Sequence, residues 1–416
     1  MNSRFAYSIL VLTLILSANL RAEEGNSNSN AFHWGLNDVS FLFPIQDHNV
    51  TTELPSVATS GAFGPLLPFS VIQQIGRLQS FEDPKKSYSD LRMVAARIDP
   101  CFPAPENPSI CRAQVRLVWQ PVQIVRGRAV GADAAIHTFY NLPATDFRAL
   151  TDELKMLRMS FDSAAAKSSE SAVSNRDLPL SVHPIIRREG LSGPYFQGFK
   201  RAILKRIGRD RLSRATFVKL SSGFFLWDFG GFDVIGGRLV PMVIPRTGRK
   251  RQMFTNNVMP GETEFVESGI APSPLKSEAN VNFITSESSR IRQKDAEPLI
   301  IQNVIDAAAM ENPRKFKTAE LDCVSCHIAQ AARLFAVGEF REMNLGAQTA
   351  KTTYRSKTQS LKVSSRVGHI TGNLRSFGYF YGDPAISARV IHESAEVADA
   401  LNSGSAFNRP RISRER

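Results

Sequence analysis

The N-terminal part of this chain reads as mixed β and α, and in one stretch apolar and polar residues alternate. Over residues 112–120, Ala113, Val115, Leu117 and Trp119 alternate with Arg112, Gln114 and Arg116. That period of two predicts a strand with one buried face. Residues 38–43, 90–98 and 134–140 read as further strands, as do 214–220, 223–229 and 237–244. Gly230-Gly231 and Gly236-Gly237 are expected to be the turns between the last three.

Helical periodicity interrupts this pattern twice. Residues 146–159 set Phe147, Leu150, Leu154 and Leu157 on one stripe, with Thr145 as the cap. Ser192-Gly193-Pro194 opens a second helix that carries Phe196, Phe199, Ile203 and Ile207 and closes at Gly208. Lys200, Arg201, Lys205 and Arg206 flank that stripe. They suit a docking or membrane-contact face, but core contact with a solvated back is the expectation.

Residues 255–280 are rich in Glu, Ser, Pro and Gly without sustained periodicity, which predicts a linker over 255–294. Helical pattern returns at 295–310, with Ile301, Val304, Ile305 and Ala308 on one stripe, Pro298 in the first turn and Asn312-Pro313 as the stop. Residues 329–336 and 385–402 follow, the latter with Ile386, Val390, Val397 and Leu401 inward. The expected fold class is α+β: a β-rich domain with interspersed helices over 31–254, then a mainly helical domain over 295–402 and a basic tail over 403–416.

The first residues change the picture of where the protein works. Arg4, an apolar run over 7–16 and small residues up to Ala22 predict a secretory signal peptide, 1–22, cleaved after Ala22. Residues 23–30 are polar and expected to be disordered. The apolar run is too short to span a bilayer, no later stretch reaches that length, and no cysteine near the cut suggests a lipid anchor. A periplasmic location follows. The formal charge of +12 suits an acidic redox partner protein or a peripheral contact with anionic membrane surface, and export argues against nucleic acid.

The chain has four cysteines. Cys101 and Cys111 enclose a proline-rich turn, and in an oxidising compartment they are expected to form a disulfide worth about 2–3 kcal/mol. Free thiols or a metal pair are the alternatives. The other two stand in Cys323-Val324-Ser325-Cys326-His327, a C-x-x-C-H pentapeptide. This is the spacing at which two thiols add to the vinyl groups of one porphyrin while the next histidine reaches the iron. A redox disulfide lacks the expected βαβ context, and zinc lacks a second cysteine–histidine cluster.

On this motif and its helical surroundings, residues 295–402 resemble a c-type cytochrome domain. The resemblance implies one covalent haem c, with Cys323 and Cys326 as thioether residues and His327 as the proximal ligand. It does not extend to 31–253. For the sixth iron position His369 is the first candidate, then Met343, then His392, which is expected to face solvent from its helix. No methionine follows Met343. The remaining histidines are His33, His48, His137 and His183. His33 and His137 are expected as hydrogen-bonded core imidazoles, while His183, before Pro184 in a loop, has only its position to suggest an approach to the haem from the other domain. Asp228 and Asp233 read as turn-stabilising residues rather than a carboxylate pair, and no serine–histidine–acid spacing is present.

The expected function is an exported monohaem c-type cytochrome-like protein carrying single electrons in the periplasm. The alternatives are a peroxidase-like haem oxidoreductase, or a periplasmic binding or assembly protein with a structural or sensory haem.

Overall fold

Alternation produces a large antiparallel sheet, and its two faces set everything that follows. The computed structural model describes residues 32–46, 50–78, 84–104, 107–167, 178–222, 226–255, 297–363 and 374–408. The expected signal peptide, the polar segment after it, nearly all of the linker, His48, His369 and the end of the basic tail lie outside them. Residues from Trp34 onward group as one unit, distinct from Met1–His33.

In chain order the strands are β1 (Ser40–Leu42), β2 (Ser60–Gly61), β3 (Gly64–Pro65), β4 (Leu91–Ala104), β5 (Asn107–Val125), β6 (Arg128–Gly131) and β7 (Ala134–Leu142). They continue with β8 (Leu212–Ser222), β9 (Leu226–Ile235), β10 (Arg238–Pro241), β11 (Arg251–Thr255), β12 (Phe377–Phe380) and β13 (Asp383–Ile386). A nine-stranded sheet runs in the order β1-β4-β5-β7-β8-β9-β10, with β6 joined to β5 and β11 to β9. The β2–β3 and β12–β13 pairs stand apart from it. The main helices are α1 (Ala144–Lys167), α2 (Pro194–Leu204), α3 (Glu297–Met310), α4 (Cys323–Glu339) and α5 (Ala388–Asn402). The chain is thus α+β, with the sheet in the N-terminal half and helices concentrated toward the C-terminus.

Strand register assigns each side chain to a face. Phe41, Ala96, Leu117, Thr138, Ala215 and Phe232 are neighbours across β1, β4, β5, β7, β8 and β9. On this first face Phe41 meets Phe199 of α2 at 4.4 Å between ring centroids. Pro194 stands at the start of α2, where its missing N–H costs nothing, and Phe196, Phe199 and Ile203 are buried. Two of the flanking cations, Arg206 and Lys205, pair with Glu153 of α1 at 2.7 and 3.2 Å, while Lys200 lies over the Phe196 ring and Arg201 is exposed.

The second face is covered by the C-terminal helices. Ala135, Val218 and Phe229 of the sheet share a buried cluster with Ala307 and Met310 of α3 and with Val324, Ile328 and Ala332 of α4. Ser40 bonds Ser394 of α5 at 2.7 Å through their hydroxyls. Two of the polar partners of the alternating pattern in β5 are therefore not solvated, Gln114 being buried and the Arg116 side chain 13% exposed, while Arg112 faces solvent.

Several expectations are corrected. Gly230-Gly231 is no turn but the middle of β9, paired with Phe217 and Thr216. The absence of side chains there is required, since a Cβ on Gly231 would lie 2.8 Å from the Ala215 carbonyl oxygen. Gly236-Gly237 is a turn, with φ of 57° and 76°. The strand expected over 38–43 begins with a helical turn, Leu36–Val39, stabilised by Asp38 accepting from the Gly35 N–H. Strand β11 carried no recognised signal. The Cys101–Cys111 disulfide is present, linking β4 to β5, and is consistent with an oxidising compartment outside the cytoplasm. Among the described residues no helix is long and apolar enough to cross a membrane.

Candidate functional site

The C-x-x-C-H motif opens α4, and its position there follows from Asp322. The Asp322 carboxylate caps the helix by accepting from the Ser325 N–H at 3.0 Å and also accepts from the Gln252 amide at 2.7 Å. Gln252 in turn accepts from the Val324 N–H at 3.1 Å, so the first turn of α4 is pinned to β11. Helical spacing of three and four residues sets Cys323, Cys326 and His327 on one side of the helix. All three line a cavity of about 180 Å³ between α4, α5 and the second face of the sheet.

Both thiols are free. Burial pushes Cys323 up to about 12 and Cys326 up to about 11, so both are protonated at neutral pH. His327 is held at its Nδ1, which lies 2.5 Å from the Leu374 carbonyl oxygen and 3.2 Å from the Ser376 hydroxyl. A carbonyl only accepts, so Nδ1 carries the proton and Nε2 keeps its lone pair. Burial lowers the pKa of this ring, the Leu374 bond opposing it, and the edge of the ring packs on Phe229 at 5.2 Å.

The sheet wall of the cavity is built by register. Arg97, Arg116, Phe139, Arg214 and Asp233 form one cross-strand row, and Val118, His137, Thr216 and Gly231 form the next. Around the first row lies a buried charge network. Glu393 of α5 takes Arg97 at 2.5 Å and Arg389 at 2.7 Å, with Arg116 at 3.9 Å, while Arg116 also pairs with Asp99. Burial pushes Glu393 upward, but Arg389, Arg97 and Arg116 outweigh it and hold the carboxyl well below the usual range. Burial lowers the Arg116 guanidinium to about 10 against the pull of Asp99. The Nε atoms of Arg97 and Arg116 are buried without a hydrogen-bond partner, although both residues line the cavity. A buried charged donor left unpaired costs about 1–3 kcal/mol or more, which marks this edge as a place for an anionic group.

His137 is the residue whose role the sequence concealed. It was expected as a hydrogen-bonded core imidazole, yet it faces the cavity, and no hydrogen bond to its ring is present among the described residues. Burial, then the nearby His327 and Arg116, depress it to about 3, so it is neutral at pH 7.

The other candidates lie elsewhere. His392, expected at the surface, is buried: its Nδ1 lies 2.9 Å from the Glu311 carbonyl and its ring lies 5.3 Å from that of Tyr354. The reason is that α5 is covered all round, with every residue from Ala388 to Ala395 buried. Met343 packs against Ile300, Val304 and Phe340 and does not line the cavity. His183 caps the short helix Pro184–Glu189 and stacks on Phe41, on the first face. His33 is partly buried and lines no part of the cavity. Asp228 and Asp233 sit at opposite parity in β9, on opposite faces, paired with Arg251 and Arg214, so they cannot act together. Among the described residues no group of three or more His, Cys, Asp and Glu side chains converges as a metal-ion site.

Comparison with protein-family models, curated proteins and solved structures finds no match for this chain.

Proposed function

We propose that this chain is an exported monohaem c-type cytochrome-like protein, with one haem c held by Cys323, Cys326 and His327 against the sheet. The observation that carries the reading is His327: its Nδ1 is engaged by Leu374, and its Nε2 is free beside two reduced thiols on one helix face. Such an outer bond orients a ligating imidazole and strengthens its donor nitrogen. The remaining surroundings suit the same group. Phe229, Val118, Phe377 and Val390 give the cavity apolar walls for a macrocycle. The unpaired Nε atoms of Arg97 and Arg116 suit its propionates.

Attachment needs no oxidant. Each thiol adds across a vinyl group, sulfur to one carbon and hydrogen to the other, so the product has the summed mass. The haem, when bound, supplies one-electron chemistry at iron. The chain's own residues exclude water from it, orient the proximal imidazole and place guanidinium groups along one edge. The formal charge of +12 suits docking to an acidic redox partner in the periplasm.

Intact mass of the denatured, exported protein tests the reading. The polypeptide plus one haem is expected, and Cys323→Ser with Cys326→Ser should abolish the addition entirely. A native chain without porphyrin overturns the proposal. A haem oxidoreductase is the second reading, because the neutral His137 and the Arg116 guanidinium share the cavity. Rapid spectral change of the untreated protein with peroxide or carbon monoxide would favour it over the carrier.

A further inference from the structure

We infer that His137, at the centre of β7, completes the coordination of the iron whose proximal ligand is His327. This rests on the haem reading above. The sheet and the C-terminal helices would then each contribute one axial nitrogen, and the haem would join the two halves of the chain.

Register places His137 between Val118 of β5 and Thr216 of β8, with Gly231 beyond. These cross-strand neighbours are small or β-branched, and the ring, with Phe139 two residues along β7, remains half-exposed in the cavity. Both histidines line the same space from different walls, His327 from α4 and His137 from the sheet. The accessibility of the ring is the deciding feature. His137 is only half-buried and lines the cavity, and among the described residues no protein group bonds its ring, whereas His327 and His392 are each held by a backbone carbonyl. Its ring nitrogens are therefore open to an iron centre in the cavity.

The other soft donor in the wall is Met242, whose terminal methyl lies over Gly231. Packing alone accounts for it, since a thioether needs no hydrogen-bond partner. His369 lies outside the described residues, and Met343 and His392 are engaged elsewhere.

Spectra of the full exported protein decide the matter. The wild type is expected to be six-coordinate and low-spin, with a near-infrared magnetic circular dichroism signature of two imidazoles. His137→Ala should become high-spin and bind carbon monoxide when reduced, and added imidazole should restore the low-spin spectrum. Met242→Leu and His369→Ala should leave the wild-type spectrum unchanged. A low-spin His137→Ala, a methionine charge-transfer band lost in Met242→Leu, or a spectrum changed by His369→Ala overturns the inference while covalent haem persists. If His137→Ala does not fold, the wild-type near-infrared signature decides, and anything but two imidazoles overturns the assignment. Absence of covalent haem in the wild type overturns the haem reading and this inference with it.

Discussion

Alternate residues of the same strands face two unlike interiors. On the first face Trp119, Tyr140, Phe41 and Phe199 are all buried, and most of the polar groups named there are paired, the Nε2 of His183 excepted. Trp119 donates to the Thr138 hydroxyl at 2.9 Å, and Tyr140 donates to the Leu66 carbonyl. On the second face Arg97 and Arg116 bury Nε atoms without a partner, and the half-buried His137 lines the same cavity. Burying such groups costs free energy that hydrocarbon in the same positions would not. One face is thus mainly packed hydrocarbon, while the other buries charged groups at that cost.

The comparison can be broken from either side. The largest effect is expected on the first face, where Phe199→Ala should cost about 3–5 kcal/mol by urea unfolding and leave the spectrum of the proposed haem unaltered. A shifted spectrum would mean that the faces are not separable. On the second face Glu393→Gln removes the counter-charge of Arg97, Arg116 and Arg389 and should cost about 3 kcal/mol at pH 7. Because the folded carboxyl lies below its ordinary 4.5, its stabilisation is full above that value and lost as the pH falls toward the folded pKa. The substitution should remove that acid-side loss, and an unchanged acid limb would show that the network contributes little.

The smallest effect sharpens the contrast between histidines. Burial first, then Arg158, depresses His183 to about 3 from 6.5, so within that window the unfolded chain takes up a proton that the folded chain refuses. Stability contributed by the neutral ring is therefore full above 6.5 and declines as the pH drops. His183→Phe keeps a ring between Phe41 and Tyr195 and should flatten the slope by up to about 1.4 kcal/mol per pH unit below 6. No change in the haem spectrum should accompany it.

Local chemistry was legible. Period-two alternation located β5, strand readings also fell on β4, β7 and β8, proline and glycine punctuation opened α2, and the spacing of Cys101 and Cys111 foretold their bridge. Long-range chemistry was not. Gly230-Gly231 resembled a turn because two glycines favour one in isolation, yet here they let Phe217 and Met242 close over β9. His392 was placed at the surface by helical angle alone, which assumes that a helix has one covered side; α5 has cover all round. His137 gave no signal of its own beyond being a histidine among apolar residues.

By itself the sequence determined the C-x-x-C-H geometry, because a helix turn is closed by near neighbours and its cap, Asp322, directly precedes the motif. It likewise determined which residues share a face of each strand, since pleating forces alternation. Only the tertiary structure decided what covers each face. Arg116 meets Glu393, and His137 shares a cavity with His327, across well over a hundred residues of chain, and no local period encodes which distant helix will settle on a strand. That choice turned an apparently solvated row of polar side chains into the wall of a buried site.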